Sequence, residues 1–465
     1  MHTRNVRGRR QEAALGAWSL TLITLALFLV STSPRAQAIP AFARKYGLPC
    51  SACHEAWPKL NNFGQVFKDN GYQLGNDKDA PIFHEPAYWP VSFRITPNWH
   101  RENTDKMQVD QAASGVQGIT THGFDLSGLD ILTAGTLNKN ISFLLVPSAD
   151  STGAFHFESA WVRFDNLLKT SWLNVKMGKL ELDNVFSEKR NLTLSNTGGP
   201  YQIYHYQPLT SVSAQTSPFG IGDNQIGLEV MGHSKNSYTR YSVSVLSSDD
   251  GNVGLPTSNS YDVFLAGSQA FEVGGLGLQR VGGFAYFGRL PTYFLNSGGA
   301  PIAGAGQGNK PFQRIGVYGM WYLKKLDITT MFTHASEDKY LATGAATDGS
   351  VPLPAGARDA VWNGALIETH FTLNPRFIIV NRYEAIRMSQ QSLPDDPTTN
   401  PSNLGDVDAL TFGARFYPFM HSRDGFAIHP EYSILRTRGA FTDPNDGSLK
   451  DLTTSSLFLG FDFIF

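Results

Sequence analysis

No charge of one sign predominates in this sequence. Its 465 residues include 38 Lys and Arg against 40 Asp and Glu, which gives a formal net charge of −2. Proteins that bind the phosphates of nucleic acid usually carry a basic excess. The composition therefore indicates that nucleic acid is not a partner.

Long hydrophobic runs are missing after the first 30 residues. Beyond Val30 no stretch approaches the 18 or so consecutive apolar residues that a membrane-spanning helix needs. This excludes a bundle of transmembrane helices. The other structure that can cross a bilayer is a closed β-barrel, whose strands alternate lipid-facing and lumen-facing side chains and so keep the hydropathy low.

The first 38 residues have the three parts of a secretory signal peptide. A basic segment before residue 11 precedes an apolar run over 15–30, and Ala36-Gln37-Ala38 matches a cleavage site. An uncleaved anchor helix is the alternative. We expect export through a cleaved Sec-type signal, with the mature chain beginning at Ile39.

Cysteine is scarce, and the only two cysteines stand close together. They frame the pentapeptide Cys50-Ser51-Ala52-Cys53-His54, which is the attachment pattern for c-type haem. Two thiols at this spacing bind the two vinyl groups of one haem, and the adjacent histidine ligates the iron. A disulfide or a coincidence is the alternative, and a zinc site would need two more ligands nearby. We predict one covalent haem c on Cys50, Cys53 and His54, and no disulfide.

Apolar residues follow the pentapeptide at a helical spacing. Trp57, Leu60, Phe63 and Phe67 are three or four residues apart, which predicts one face of a short amphipathic helix. Such a helix is too small to build its own core, but a porphyrin gives it a large apolar surface to pack against. An ordinary helix that packs on the barrel is the alternative.

The sixth ligand of the haem iron is poorly defined by the sequence. No methionine lies between Cys50 and Met107, so a nearby methionine ligand is not expected. His84 is the first candidate and His100 is the alternative. Either could equally be a surface histidine.

From about residue 90 the chain becomes a series of short segments in which apolar and polar residues alternate. Val91, Phe93 and Ile95, for example, alternate with Ser92 and Arg94. This is the signature of a transmembrane barrel. We count about sixteen strands, an even number, as single-chain bacterial barrels require. Further candidates lie near 141–145, 173–178, 226–230, 238–247, 260–271, 276–289, 311–323, 326–335, 361–373, 376–388, 406–418 and 425–437.

The last nine residues, 457–465, alternate strictly and end on Phe465. This resembles the terminal strand of outer-membrane proteins, which makes a soluble β-sandwich a poor alternative. The predicted fold is therefore all-β: a transmembrane antiparallel barrel with a small α-helical N-terminal haem domain. The predicted domains are a signal peptide over 1–38, the haem domain and linker over 39–88, and the barrel over 89–465.

The connections between strands differ in length. Asn138-Lys139-Asn140 predicts a short periplasmic turn, whereas 183–222, 296–310 and 390–405 are long, polar and expected to face outside. Several charged strand positions stand among apolar neighbours and are predicted to point into the lumen, where they would pair with one another. They are Glu368, His370, Arg382, Glu384, Arg415 and Glu431. A role of the acidic members in metal entry is the alternative.

A longer motif surrounds the pentapeptide. It reads AFARKYGLPCSACH over 41–54 and PKLNNFG over 58–64, followed by Gly71-Tyr72. This resembles the fused cytochrome-porin family of outer-membrane iron-oxidising cytochromes, specifically so over roughly the first forty mature residues and only in architecture over the barrel. The resemblance implies one haem domain that plugs a sixteen-stranded barrel and takes electrons from extracellular Fe(II). It gives the haem-binding roles to Cys50, Cys53 and His54.

Three functional hypotheses follow. The first is an electron conduit between an extracellular donor, expected to be Fe(II), and a periplasmic c-type cytochrome or copper carrier; the reverse, reductive direction stays open. The second is a solute channel gated by the haem domain. The third is a haem enzyme such as a peroxidase, for which no sequence motif is present. Whether the chain is an enzyme is open, and in the first case it would be an Fe(II)-oxidising oxidoreductase in a lipid bilayer.

Overall fold

Sixteen antiparallel strands form a closed barrel in the computed structural model. The described residues are 41–75, 79–84, 91–109, 115–149, 152–208, 221–222, 224–247, 261–292, 308–343, 353–420 and 424–465, and all of them belong to one compact unit. The predicted signal peptide and the predicted domain boundary at 88 and 89 lie outside them.

The barrel strands are β3 Val91–Gln108, β4 Val116–Asn138, β5 Ile141–Ala149, β6 Phe155–Phe164, β7 Asn174–Glu181, β8 Asn224–His233, β9 Thr239–Ser247, β10 Tyr261–Val273, β11 Gly277–Thr292, β12 Gly308–Leu323, β13 Leu326–Glu337, β14 Ala360–Asn374, β15 Phe377–Gln390, β16 Val407–Met420, β17 Gly425–Thr442 and β18 Leu449–Ile464.

The barrel closes between its first and last strands. β18 pairs with β3 in antiparallel register, with Phe463 opposite Ile95. Next to this pair, Phe93 and Phe465 exchange backbone hydrogen bonds of 2.7 and 2.9 Å. Closure leaves no strand edge with unpaired backbone groups, which is what a sheet in contact with hydrocarbon requires. The predicted sixteen-stranded barrel is confirmed.

Side chains alternate between the two faces of the wall. On β16, Leu410 and Phe412 are half exposed on the outside, whereas Thr411 and Arg415 are buried inside. The charged residues predicted to line the lumen are all buried, which confirms that prediction: Glu368, His370, Arg382, Glu384, Arg415 and Glu431. An apolar exterior around a polar interior is the pattern of outer-membrane barrels.

The two mouths of the barrel differ. At one mouth the strands are joined by short turns such as 139–140, 324–325 and 375–376, and the chain ends there at Phe465. We call it the short-turn mouth. The connections at the opposite mouth are mostly much longer, and we call it the long-loop mouth. The predicted turn at Asn138-Lys139-Asn140 lies at the short-turn mouth.

Residues 41–75 lie inside the lumen, in its short-turn half, and we call them the plug. The plug contains α1 Ala41–Tyr46, a 3₁₀ turn at Cys50–Ala52, a small hairpin of β1 His54–Ala56 and β2 Lys59–Leu60, and α2 Asn62–Asp69. It is tied to the wall through Arg240 on β9, which donates to both carboxylate oxygens of Asp69 at 2.9 and 3.1 Å. Gln73 donates to the backbone oxygen of Lys139 in a short turn at 2.9 Å.

The helix predicted from the spacing of Trp57, Leu60, Phe63 and Phe67 is wrong in its extent. It begins only at Asn62, and Trp57 and Leu60 belong to the hairpin that precedes it. The physical reason is Pro58, which lacks an amide hydrogen and disfavours helical backbone in the residue before it. The four side chains still line one common cavity.

The prediction that 183–222 faces outside is also wrong for most of its length. Residues 182–207 fold into the lumen on the long-loop side of the plug, and we call them the inward segment. They include a 3₁₀ turn at Glu188–Arg190 and α3 Gln202–His205. Tyr201, Ile203 and Tyr204 are almost completely buried, so burial of aromatic and aliphatic surface outweighs the polar composition of the loop. Residues 209–220 lie outside the described part of the chain.

The remaining elements are short. They are α4 Lys339–Ala342 and 3₁₀ turns at Ile82–His84 and Leu167–Lys169. Most of the predicted loop 296–310 lies outside the described residues, and 308–310 begin β12. None of the described helices has the length and apolar character of a membrane-spanning segment.

Candidate cofactor site

The pentapeptide opens onto a cavity of about 290 Å³ between the plug and the short-turn half of the wall. The plug contributes aromatic side chains such as Phe42 and Trp57, and the wall contributes aliphatic ones such as Leu144 and Val146. Cys50, Cys53 and His54 all line it, so the structure brings together the three residues that the sequence predicts to bind haem. The lining is mainly apolar, as in most cofactor sites.

The two cysteines lie on consecutive parts of one tight turn. The amide of Cys53 donates to the carbonyl oxygen of Cys50 at 3.1 Å, and no disulfide joins the two residues. Burial raises the pKa of the Cys50 thiol to about 11 and also raises the pKa of Cys53. Both thiols are therefore neutral at neutral pH.

The ring of His54 is oriented by the backbone of the plug hairpin. Its Nδ1 lies 3.1 Å from the carbonyl oxygen of Pro58. Because a carbonyl oxygen can only accept, Nδ1 carries the hydrogen and Nε2 presents its lone pair. A ligating histidine is usually oriented in this way by a backbone carbonyl or a carboxylate. Burial lowers the pKa of His54 to about 4, so the imidazole is neutral.

Asn61 joins the cysteine turn to helix α2. Its side-chain oxygen accepts from the amide of Gly64 at 2.9 Å and so caps the helix. Its side-chain nitrogen donates to the carbonyl oxygen of Ala52 at 3.0 Å. Its backbone amide donates to the carbonyl oxygen of Cys53 at 2.9 Å. One residue therefore fixes the start of α2 against the pentapeptide.

Gly64 allows α2 to approach the cysteine turn closely. A Cβ atom at this position would lie well inside contact distance of the carbonyl oxygen of Cys53, and 3.0 Å from a methyl group of Leu60. No larger residue fits without movement of the helix or the turn.

Aromatic rings close the other end of the cavity. Tyr72 stacks on Phe42 with 4.9 Å between ring centroids and on Trp161 of the wall at 6.2 Å. Phe67 meets Phe42 edge to face at 5.0 Å. These contacts attach α1, α2 and β6 to one another around the site.

Cations at the edge of the cavity are held by carboxylates. Arg190 lies 2.5 Å from Glu181, and Lys68 lies 3.5 Å from the same carboxylate. Burial, together with the nearby Arg190, lowers the pKa of Lys68 to about 8. On the opposite side, Arg94 pairs with Asp462 at 3.1 Å.

Lys59 anchors the hairpin of the plug to the wall. Its ammonium group contacts Asp327 of β13 and lies 3.1 Å from Glu55 and 2.9 Å from Nδ1 of His370. Burial alone would lower the pKa of Lys59, but Glu55 and Asp327 raise it well above its ordinary value. Lys59 is therefore charged over the whole neutral range.

A second cavity, of about 390 Å³, adjoins the first along Lys68, Glu181 and Arg190. It lies between α2 and the wall, and its lining is more polar than that of the first cavity, with Asn61 and Arg240 among its members. Its chemistry fits water and hydrated ions better than an apolar ring.

The predicted sixth ligands lie away from the site. His84 is exposed at the end of its 3₁₀ turn, and His100 lies on β3, with Nδ1 3.0 Å from the side-chain oxygen of Asn98. Neither lines the cavity, where His54 is the one histidine among the described residues. The structure thus does not bring either candidate to His54, and the sixth ligand stays a prediction.

Two residues of the site were missed by sequence reasoning. Pro58 acts through its backbone carbonyl, which leaves no signal in the sequence. Asn61 could have been found, because an asparagine before a hydrophobic run is a frequent helix N-cap.

The residues present fit a covalently attached haem. They supply two thiols at the required spacing and an apolar cavity that contacts both cysteines and His54. They also supply an imidazole whose Nδ1 bonds the Pro58 carbonyl, so that Nε2 is the nitrogen that can ligate iron. Among the described residues no cluster of three or more His, Cys, Asp or Glu side chains is arranged to hold a metal ion directly.

Comparisons with known proteins concern the barrel. No protein-family model matches the sequence, and no curated protein does. The anion-selective porin from Comamonas acidovorans aligns with a TM-score of 0.51 and 10% identity over 81% of this chain and 99% of that chain. The outer membrane channel DcaP of Acinetobacter baumannii aligns with a TM-score of 0.47 and 10% identity, over 80% and 97%. The trimer form of OmpT from Vibrio cholerae gives 0.45 and 12%, over 81% and 99%. At 10% identity the likeness to the Comamonas porin concerns the fold alone: this chain has the closed barrel of outer-membrane porins.

Proposed function

We propose that this chain is an outer-membrane electron conduit. One haem c on Cys50, Cys53 and His54, inside the barrel, carries electrons between an extracellular donor and a periplasmic carrier. The observation that carries the proposal is the position of the pentapeptide, which faces an apolar cavity in the lumen of a closed barrel. The resemblance to the cytochrome-porin family implies Fe(II) as the donor and a c-type cytochrome or a copper protein as the carrier.

The exterior of the wall supports a location in the outer membrane. Apolar side chains such as Val317 and Phe332 are exposed along the middle of the strands. Near the short-turn mouth, aromatic rings pack in pairs on the outside, among them Phe93 with Phe465 and Trp172 with Tyr241. Apolar bands flanked by aromatic girdles match the lipid bilayer, and short turns face the periplasm in such barrels.

The roles of the residues follow from their chemistry. Haem, when bound, supplies a one-electron Fe(III)/Fe(II) couple. Cys50 and Cys53 would hold it through thioether bonds, and Nε2 of His54 would ligate the iron while Pro58 keeps the ring in place. Phe63 and the other apolar side chains of the cavity exclude water. The barrel wall separates the site from lipid.

The test is a spectroscopic titration of the purified full-length protein in detergent. We expect a c-type spectrum with one covalent haem per chain, and rapid reduction of the oxidised protein by anaerobic Fe(II). The matched control is Cys50→Ser/Cys53→Ser, which keeps His54. Absence of covalent haem from the unaltered protein would refute the proposal and leave a porin. Haem that does not respond to Fe(II) would point to another donor or to the reductive direction.

The gated solute channel is the second candidate, and its support is the porin-like barrel. The plug and the inward segment both occupy the lumen, which leaves little room for free passage of solutes. In planar bilayers the conduit should therefore give a small conductance. A conductance as large as that of an open porin, changing with haem redox state, would favour the channel instead.

A further inference from the structure

The short-turn mouth is basic. Its turns carry six exposed cations, drawn from five different turns, and we call them the basic rim: Lys139, Lys169, Lys235, Lys324, Lys325 and Arg376. In the strand order these turns extend from the β4–β5 connection to the β14–β15 connection, so the rim surrounds most of the mouth. Two acidic residues lie in the described parts of the short turns. Asp165 is buried against Arg163 at 2.6 Å, and Asp424 is half-buried.

The cations of the basic rim have no anionic partner among the described residues. Lys325, for example, donates to a backbone oxygen, that of Leu373, at 3.1 Å. Their charges therefore act outward into the solvent that fills the mouth.

At the long-loop mouth, by contrast, several of the described cations pair with carboxylates. Arg358 pairs with Asp395 at 3.1 Å, Arg436 with Asp451 at 2.5 Å, and Lys450 contacts Asp443. Among the described residues, the two mouths thus differ in the pairing of their cations as well as in loop length.

The cofactor cavity lies in the half of the lumen that the basic rim surrounds. The plug meets the rim directly, since Gln73 donates to the backbone oxygen of Lys139. An electron that leaves the site toward the periplasm would cross this mouth. Opposite charges across such a contact orient two redox proteins and speed their encounter.

We propose that the basic rim docks a soluble protein with an acidic face, and that this protein is the periplasmic electron carrier. The identity of the carrier rests on the proposed function, but the docking itself does not. Anionic lipid is the competing occupant. The rim cations lie on turns around the mouth, whereas lipid phosphates meet the outer wall beside the aromatic pairs, so the geometry favours a protein.

The test compares two probes that differ in charge alone: native mitochondrial cytochrome c, which is basic, and the same protein after succinylation, which is acidic. The full-length protein is held in nanodiscs of neutral phosphatidylcholine, and binding is measured by interferometry. At low ionic strength the succinylated probe should bind at least about tenfold more tightly. The difference should disappear at about 0.5 M salt, where the screening length is only a few ångströms.

Charge-reversal variants test whether the acidic probe binds at the basic rim. Lys324→Glu/Lys325→Glu should weaken binding of the succinylated probe by about threefold to tenfold. The matched control is Arg358→Glu/Lys450→Glu, which changes the net charge equally at the long-loop mouth and should leave binding unchanged. Migration of unheated samples in gels checks that both variants form barrels.

Three outcomes would overturn the proposal. They are equal binding of the two probes, an equal effect of both double variants, or a rim variant that loses affinity for phosphatidylglycerol vesicles while still binding the acidic probe. Because binding does not require haem, these results are separate from those of the Fe(II) titration. A protein that oxidises Fe(II) but ignores probe charge would keep the proposed function and lose the docking surface.

Discussion

Gly64 is the residue on which the fit between helix α2 and the cysteine turn depends. We expect Gly64→Ala to force the helix away from the carbonyl of Cys53, because the new Cβ would overlap it. Overpacking of this kind costs about 1–3 kcal/mol of unfolding free energy. The ratio of covalent haem to protein should fall, as measured from the absorption of the denatured protein.

Gly123→Ala is the matched control for this substitution. Gly123 lies on β4, and a Cβ there would have open space around it. The control should keep the haem content of the unaltered protein. Equal haem content in both variants would show that close approach at Gly64 is unimportant for the site.

Asp69 makes the docking of the plug sensitive to low pH. Burial alone would raise the pKa of Asp69, but Arg240 outweighs burial and lowers it. Because the pKa of Asp69 is lower in the docked plug, its charged carboxylate stabilises docking at pH values above its ordinary pKa of 3.8. This stabilisation is lost as the pH falls toward the pKa of Asp69 in the docked plug. The plug should therefore resist protease at neutral pH and begin to loosen only below about pH 3.8.

Asp69→Asn should loosen the plug at neutral pH and remove this acid dependence. The expected cost is about 1.5–3 kcal/mol, the usual value for a hydrogen bond to a charged group. Arg240 is not left as an unpaired buried charge, because it keeps Asp183 at 2.8 Å. Protease cleavage within 41–75, followed from pH 7 to pH 3, is the measurement. Asp446→Asn, an exposed change at the long-loop mouth, is the control. Equal cleavage of the two variants would contradict the prediction.

The cofactor site was predictable where side chains act and unpredictable where the backbone acts. Cys50, Cys53 and His54 could be named because their types and spacing are specific, and the structure brings them together at one cavity. The orientation of His54 depends on the carbonyl of Pro58, which any residue could supply. His84 is the sixth ligand that the sequence predicts because it follows the pentapeptide closely along the chain. Separation along the chain says little about the distance between two residues in the folded lumen.

The inward segment is held by carboxylates of the wall. Glu431 accepts from the amide of Leu194 at 2.8 Å and from the hydroxyl of Ser195. Glu431→Ala should leave buried donors without partners, at about 1–3 kcal/mol each, and loosen the segment. We expect the single-channel conductance in planar bilayers to rise. Glu272→Ala, on the exposed face of β10, should leave it unchanged, and a closed channel in both variants would count against this anchor.

Strands were predictable from local alternation, and the inward segment was not. The expected strand near 326–335 is β13 Leu326–Glu337, and that near 376–388 is β15 Phe377–Gln390. Alternation works because each strand position faces either lipid or lumen. The inward segment instead depends on contacts with strands far along the chain, such as Arg382 beside Tyr201. A polar loop of the same composition could equally face water.

The barrel as a whole should form without its cysteines. The sixteen strand pairs close through backbone hydrogen bonds in which neither Cys50 nor Cys53 takes part. We expect Cys50→Ser/Cys53→Ser to insert in the outer membrane and to migrate as a compact species in unheated gels. Loss of the compact species would mean that barrel closure depends on the thiols. The steric overlap predicted for Gly64→Ala is not expected here, because serine is no larger than cysteine.

The inward segment also narrows the path from the long-loop mouth to the plug. It crosses the lumen between the long-loop mouth and the plug, held by Arg382 and Arg415. A species that approaches the Cys50–His54 turn from the long-loop mouth has to pass this segment, which favours a dissolved ion over the face of a mineral grain. If the proposed function holds, a solid donor would therefore need a dissolved mediator to exchange electrons with the cofactor site.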